Sequence, residues 1–320
     1  MRWIRCGLAM LCCGVIGTAQ ASFPERTLRM VVPFAAGSGL DKLARATGER
    51  LSRELGQPVV IDNVSGAGGN VGFDAVLKAP KDGYTLLMAT TGIMVINPHL
   101  YKRQKRTPLT DLVVISPVQT ATNVLAVRPE LPINNLSQFI AYAKANPGKL
   151  SYGSSGIGSS SHLGAVLLSQ MAGIELSHIP YRGSSAAASD FLGGRLDFMM
   201  DGAAQYVNLA SSGKVRVLGT TSKKRFDTLP GWTPLAESGL PGFDVSIWSA
   251  VMAPEGVPAS TLKVLRQAMA KVVSDPDFRT AVAPDTPFPM STANFEAFLQ
   301  TENAKWEKLI RDSGVTADGL

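Results

Sequence analysis

The sequence predicts an α/β fold built as two similar lobes joined by hinge strands. Three observations predict it. Strand, loop and helix patterns alternate in two successive sets, as parallel sheets covered by helices require. Two Gly/Ser-rich loops, AAGSGLD (Ala35 to Asp41) and SSGIGSSSH (Ser154 to His162), occupy matching places in the two sets. The chain has 320 residues and is 45% hydrophobic, somewhat more than one core usually serves.

The elements follow in order. Leu28 to Pro33 reads as a buried strand, followed by the loop Phe34 to Gly39. Leu40, Leu43, Ala44, Leu51 and Leu55 then recur at helical spacing, and Gly56 and Pro58 end that helix. Val59 to Ile61 is the next strand, and the loop Ser65 to Asn70 leads into a short helix. Tyr84 to Ala89 is a third strand, ending at Thr90, Thr91 and Gly92. Leu112 to Val118 and Asn123 to Val127 read as two strands around a polar kink, where the chain changes lobe. The second set has strands at 150–153, 175–179, 196–200 and 215–220, with helices at 137–145, around 163–171, near 186–192 and near 205–211. A further strand covers 247–253, and two amphipathic helices close the chain. The expected division is 1–21 as leader, 22–122 as the first part of lobe 1, 123–221 as lobe 2, and 222–320 as the return to lobe 1.

The leader assignment rests on Arg2 and Arg5, the apolar run Cys6 to Gly17, and the Ala19-Gln20-Ala21 cleavage pattern. That order is a secretory signal peptide, cleaved after Ala21, and its apolar run is too short to span a bilayer. All three cysteines (Cys6, Cys12, Cys13) lie within it, so the exported chain has no thiol nucleophile and no disulfide. The formal charge of +6 falls to +4 once Arg2 and Arg5 are removed. The remaining basic residues are dispersed apart from Lys102, Arg103, Lys105 and Arg106, read as a solvated loop, and no nucleic-acid-binding stripe is visible.

Each matched loop follows a strand and opens a helix. Glycine lets a backbone approach a ligand closely, and the open N–H groups of a helix start favour an anion. Gly37, Ser38, Gly39, Leu40 and Asp41 on one lobe, and Ser154, Ser155, Gly156, Gly158, Ser159 and Ser160 on the other, would then grip an anionic ligand from two sides. Thr90, Thr91 and Gly92 reach the same cleft. Tyr181 and Arg182 end a strand of the second lobe, where Arg182 offers either attraction for an anion or a solvent-facing cap. Asp201 ends another strand, with an anchoring role favoured over contact with a ligand amine. His162 in the first turn of its helix reads as a local hydrogen-bonding residue. Ile157 interrupts any G-x-S-x-G nucleophile elbow, so a serine hydrolase is disfavoured. GSGLDK and GAGGNVG both miss the G-x-G-x-x-G dinucleotide pattern, and no metal-ligand spacing is present.

These segments resemble the substrate-binding proteins of tripartite tricarboxylate transporters, also called Bug receptors. The resemblance spans nearly the whole exported chain. It is carried by VVPFAAGSGLD, LGQPVVIDNVSGAGGNVG, APKDGYTLLMAT, ANPGKLSYGSSGIGSSSHL, IPYRGSSAA, FLGGRLDFMMD and APEGVP, in that order. It implies a periplasmic, two-lobed Venus-flytrap binding protein (type II) that performs no catalysis and needs no cofactor. It also implies a small carboxylate ligand, membrane permease subunits as partners and a monomeric receptor. Loops matching Phe34 to Asp41, Thr90 to Gly92, Ser154 to His162 and the Asp201 region would line the cleft. The chain departs from the family pattern in two places. Ala35, Ala36 and Leu40 stand where PFPPGGGTD has prolines and threonine, and Gly202 and Ala204 stand where D-N-x-P has asparagine and proline. Both departures bear on which acid is bound. Reporting to a sensor kinase is the alternative output.

Overall fold

A computed structural model describes residues 23–101, 106–181, 183–288 and 290–317. The leader, Lys102, Arg103 and Lys105 of the basic cluster, and Arg182 fall outside the described residues, while Arg106, the cluster's fourth member, is not solvated but paired with Asp74 and partly buried.

The first sheet has the order β2-β1-β3-β9-β4. Strand β1 (Leu28–Val32) pairs in parallel with β2 (Val59–Asn63) and β3 (Thr85–Thr90). Strand β9 (Ser246–Pro254) runs antiparallel to β3 on one side and to β4 (Leu112–Val127) on the other. The second sheet continues from the same β4 through β7 (Phe198–Gly202), β5 (Ser151–Ser154) and β6 (Ser177–Pro180), with β8 (Arg216–Thr220) on the opposite edge of β4. A two-residue strand, β10 (Thr286–Pro287), also pairs with β4.

Strand β4 changes sheets between two consecutive residues. Thr122 pairs with Ser246 of the first sheet, and Asn123 pairs with Gly202 of the second. The sequence reads two strands around a kink here, whereas the structure has one 16-residue strand. Thr120 and Thr122 keep pairing with β9, and the irregularity is taken up by bulges at Val114/Ser116 and Pro117/Gln119. Polar residues that read as a turn are thus central ladder residues, because tertiary pairing overrides local propensity.

The strand directions fix where the cleft lies. β3 is antiparallel to β9 and β9 to β4, so β1 and β3 run with β4, towards the second sheet. β7 is antiparallel to β4 and parallel to β5, so β5 and β7 run towards the first sheet. The carboxyl ends of the two parallel sets therefore face each other across the crossing point, where ligands of open α/β sheets sit.

Helices cover both sheets. α1 (Gly39–Leu55), α9 (Ala259–Ser274) and α10 (Pro276–Val282) bury Leu43, Leu51, Leu265, Met269 and Phe278 against one face of the first sheet. On its other face lie α2 (Asn70–Leu77), a wide helical turn at 92–96, α3 (Asn97–Leu100), α4 (Pro108–Asp111) and α11 (Thr292–Ser313). This core includes Phe73, Leu100, Trp248, Phe295 and Trp306, and continues without a break into α5 (Leu136–Ala145), α6 (Ser160–Ala172), Phe139 and Phe198 of the second lobe. α7 (Ser184–Leu192) and α8 (Ala203–Ser211) cover the remaining face with Phe191 and Tyr206. Phe226, Leu229 and Trp232, from the segment after Thr221, pack into this same cluster. Among the described residues, no helix is long and apolar enough to cross a membrane.

Candidate functional site

The two matched loops fold alike. Ser38 caps α1 at φ −65°, ψ 163°, and its hydroxyl accepts the Asp41 N–H at 3.2 Å. Ser159 caps α6 at φ −67°, ψ 160°, and its hydroxyl accepts the His162 N–H at 3.3 Å. In each helix the cap satisfies the third N–H and the first two stay open. The N–H groups of Gly39 and Leu40, and of Ser160 and Ser161, have no acceptor among the described residues. Each pair opens the helix that follows a parallel strand, β1 or β5, on the side where the carboxyl ends of the two strand sets face each other.

Asp41 fastens the first loop. Its carboxylate accepts from the Gly37 N–H (2.9 Å), Arg45 Nε (3.0 Å) and Asn63 Nδ2 (3.0 Å). Arg45, with Gly37 and Asn63 behind it, holds the carboxyl down to about 2, so Asp41 is ionised and fully engaged within its own lobe. Asn63 also donates to the Phe34 carbonyl at 3.0 Å, tying both ends of the loop to the end of β2. Ala35, Ala36 and Gly37 are exposed above this anchor.

The second loop is held by serines. Ser159 Oγ donates to the Gly156 carbonyl at 2.6 Å and lies 2.8 Å from Ser161 Oγ, which accepts the Ser155 N–H at 3.0 Å. Ser154 is fully buried, with its hydroxyl 2.6 Å from His178 Nε2 and bonded to Gly156 on both sides. His162 Nδ1 accepts the Gly158 N–H at 3.1 Å. Burial pushes His162 down to about 4, with the charge of His178 adding to it, and burial pushes His178 down to about 4 as well. Both imidazoles are therefore neutral near pH 7. Gly158 has φ +80°, and a Cβ there would stand 2.0 Å from the side chain of Leu100 in the first lobe. Only glycine lets the two lobes touch at this point.

The other predicted residues fall around the same place. Thr90 ends β3 opposite Ser249. The Thr91 hydroxyl accepts the Trp248 N–H at 3.0 Å and donates to its carbonyl at 3.3 Å, so it braces β9, and Gly92 follows, partly exposed. The Tyr181 hydroxyl donates to Asp190 at 2.7 Å. Asp201 is buried at the end of β7 and accepts from Ser184 Oγ (3.2 Å) and Gln205 Nε2 (2.5 Å). Burial raises its pKa against the pull of the Gly202 N–H, Gln205 and Ser184.

Several site residues are absent from the sequence reading. Asn123 reads as the first residue of a strand, yet its Nδ2 donates to Ser160 Oγ at 3.3 Å. Gln205, one helical turn after Asp201, brings a side-chain amide to a lobe where Gly202 and Ala204 provide none; the i, i+4 spacing could have found it. His178 and Asn63 sit in strands and meet the loops only in the fold. Among the described residues no group of three or more His, Cys, Asp or Glu is placed to hold a metal. A depression of about 180 Å³ lined by Met94, Leu112, Met252, Glu255 and Glu296 lies apart from the two loops, none of whose residues lines it.

Two α/β sheets sharing a crossing strand, with capped helix starts opposed at their carboxyl ends, define a two-lobed periplasmic binding protein. The chain belongs to the tripartite tricarboxylate transporter receptor family, whose model matches residues 43–315. It is similar to the protein BugT of Bordetella pertussis, at 32% identity over 96% of each chain. Among solved structures it is similar to R. palustris Rpa4515 with adipate, with a TM-score of 0.82, 33% identity, and 92% of this chain and 99% of that one covered. It is also similar to MatC (Rpa3494) from Rhodopseudomonas palustris with bound malate, with a TM-score of 0.79, 28% identity, and coverage of 90% and 100%.

Proposed function

We propose that this protein is a receptor that closes on a small organic carboxylate between its lobes and hands it, unchanged, to the permease subunits of a tripartite tricarboxylate-type transporter. The observation that carries the reading is the pair of equivalent helix starts, each with two N–H groups left open at the same cleft. Such groups bind anions because the donors are preorganised and aligned with the helix dipole. Adipate and malate, bound by two similar structures, are small acids of this class.

In this reading Gly39, Leu40, Ser160 and Ser161 offer backbone donors, and the Thr90 and Ser160 hydroxyls add side-chain donors. Ser38, Ser159, Asp41 and His162 shape the loops. Asp201, with Ser184 and Gln205, closes the second lobe's wall. Residues 123–221 form the second lobe, with 222–245 packed on its outer cluster before the return at β9. Residues 1–21 are the leader, and the exported protein starts at Ser22. The chain performs no chemistry: its Ser154–His178 contact is a structural one, because Ser154 is wholly buried and bonded to its own loop.

Native mass spectrometry of protein purified without denaturation tests this. An adduct with the mass of an organic acid, lost on denaturation, is expected. An adduct with the mass of a neutral sugar or a peptide would contradict it.

A further inference from the structure

Asn123 stands at the crossing of the two lobes. It is the first residue of β4 to pair with the second sheet, and only 1% of it is exposed. Its backbone is held on both sides by Thr221, the residue just after β8: Asn123 N donates to Thr221 Oγ1 at 3.1 Å, and Thr221 N donates to the Asn123 carbonyl at 2.9 Å. Thr221 Oγ1 in turn donates to the Val245 carbonyl at 2.8 Å, and Thr122 Oγ1 accepts the Ser222 N–H at 3.0 Å. The crossing strand β4 and the segments just after β8 and just before β9 are thus stitched together beside Asn123.

The side chain points away from this knot. Its Nδ2 donates to Ser160 Oγ at 3.3 Å, at the first residue of α6, while its Oδ1 is buried with no partner. A buried amide left half-satisfied is unfavourable, and an apolar residue of similar volume would avoid that cost. Stability alone does not call for asparagine here. The donated hydrogen bond has a directional consequence. A hydroxyl that accepts an N–H still has its own hydrogen, which is then available to a third group. With its oxygen engaged from below, Ser160 keeps its O–H for the cleft.

We propose that Asn123 is a positioning residue for the anion site: it holds the Ser160 hydroxyl as a donor towards the ligand carboxylate and anchors that donor to the hinge. The proposal rests on the carboxylate reading above. Asn123 acts through Ser160, so removing the amide weakens binding only while the hydroxyl is present.

A double-mutant cycle tests it, with adipate as the probe and calorimetry on the full exported chain. Ser160→Ala and Asn123→Ala are each expected to weaken adipate binding about tenfold, and the double variant no further than Ser160→Ala alone. Asn123→Ser, too short to reach Ser160, keeps the test open should the alanine variant fail to fold. Losses that multiply to about a hundredfold would overturn the proposal, since a merely structural Asn123 acts independently of the hydroxyl. So would unchanged affinity in both Asn123 variants beside a weakened Ser160→Ala, a result that leaves the carboxylate reading intact. Unchanged affinity in Ser160→Ala itself would overturn both.

Discussion

The imidazole rings of His162 and His178 lie face to face, with centroids 4.0 Å apart and planes 13° from parallel. Neither ring faces a carboxylate partner in any hydrogen bond of the described residues; His162 accepts from Gly158 and His178 contacts Ser154. The pair is a neutral, stacked prop beneath the second loop.

That arrangement makes the loop acid-sensitive. Both histidines titrate near 4 when folded against 6.5 when unfolded, so between those values the unfolded chain binds more protons. Their stabilisation is complete above pH 6.5 and is lost as pH falls towards 4. His178→Phe, which keeps a flat ring, is expected to flatten the fall in urea midpoint between pH 7.5 and pH 5. An unchanged slope would refute the neutral stack.

Asp285 has the opposite sign. Burial pushes its carboxyl up to about 6, although the Gln119 amide, donating at 2.5 Å, pulls it down. The folded chain therefore binds more protons than the unfolded one between 3.8 and about 6, and stability falls as pH rises through that window. Asp285→Asn should raise stability at pH 7.5, by about 1 kcal/mol after allowing for partial solvent screening. At pH 4 it should change little. Denaturation of the variant at the two pH values checks this.

Ser38→Ala and Ser159→Ala each remove a helix cap, at an expected cost of about 1 kcal/mol. Ser159→Ala should cost more, because the same hydroxyl also donates to the Gly156 carbonyl. Equal losses by chemical denaturation would mean that the second loop does not depend on that bond.

Gly158→Ala combines a left-handed backbone with a collision against Leu100. A loss of about 1–3 kcal/mol is expected from the backbone conformation alone. Trimming the obstacle with Leu100→Ala should leave less than the sum of the two single losses. Strict additivity would show that the lobes do not meet at this point.

Much of this fold is legible in the sequence. The alternation of elements, the two helix starts and their Ser caps follow from local pattern, and the matched loops do fold to the same cap geometry. The shared strand is not legible in full: Thr120 to Thr122 look like a turn and become ladder residues only because β9 lies beside them. The site is less legible than the fold. The sequence places Asp41 towards a ligand, but three donors from its own lobe occupy it; Arg45 is legible from its i, i+4 spacing, whereas Asn63, from a neighbouring strand, carries no positional signal. Asn123, Asn63 and His178 come from strands, where period-2 patterning reports burial but says nothing of which loop a side chain meets. The short helices at 97–100, 108–111 and 276–282 are not legible either, since each is set by packing and a leading proline more than by periodicity.

The most direct test of the central claim is a comparison of charge at constant shape. The melting temperature of the exported protein is measured with adipate and malate, and with their diamides, at matched concentrations. If two opposed helix starts hold a carboxylate, at least one acid stabilises the protein and its amide does not. At a hundred times its dissociation constant the acid adds about 2.7 kcal/mol. Equal shifts from an acid and its diamide would contradict the anion site.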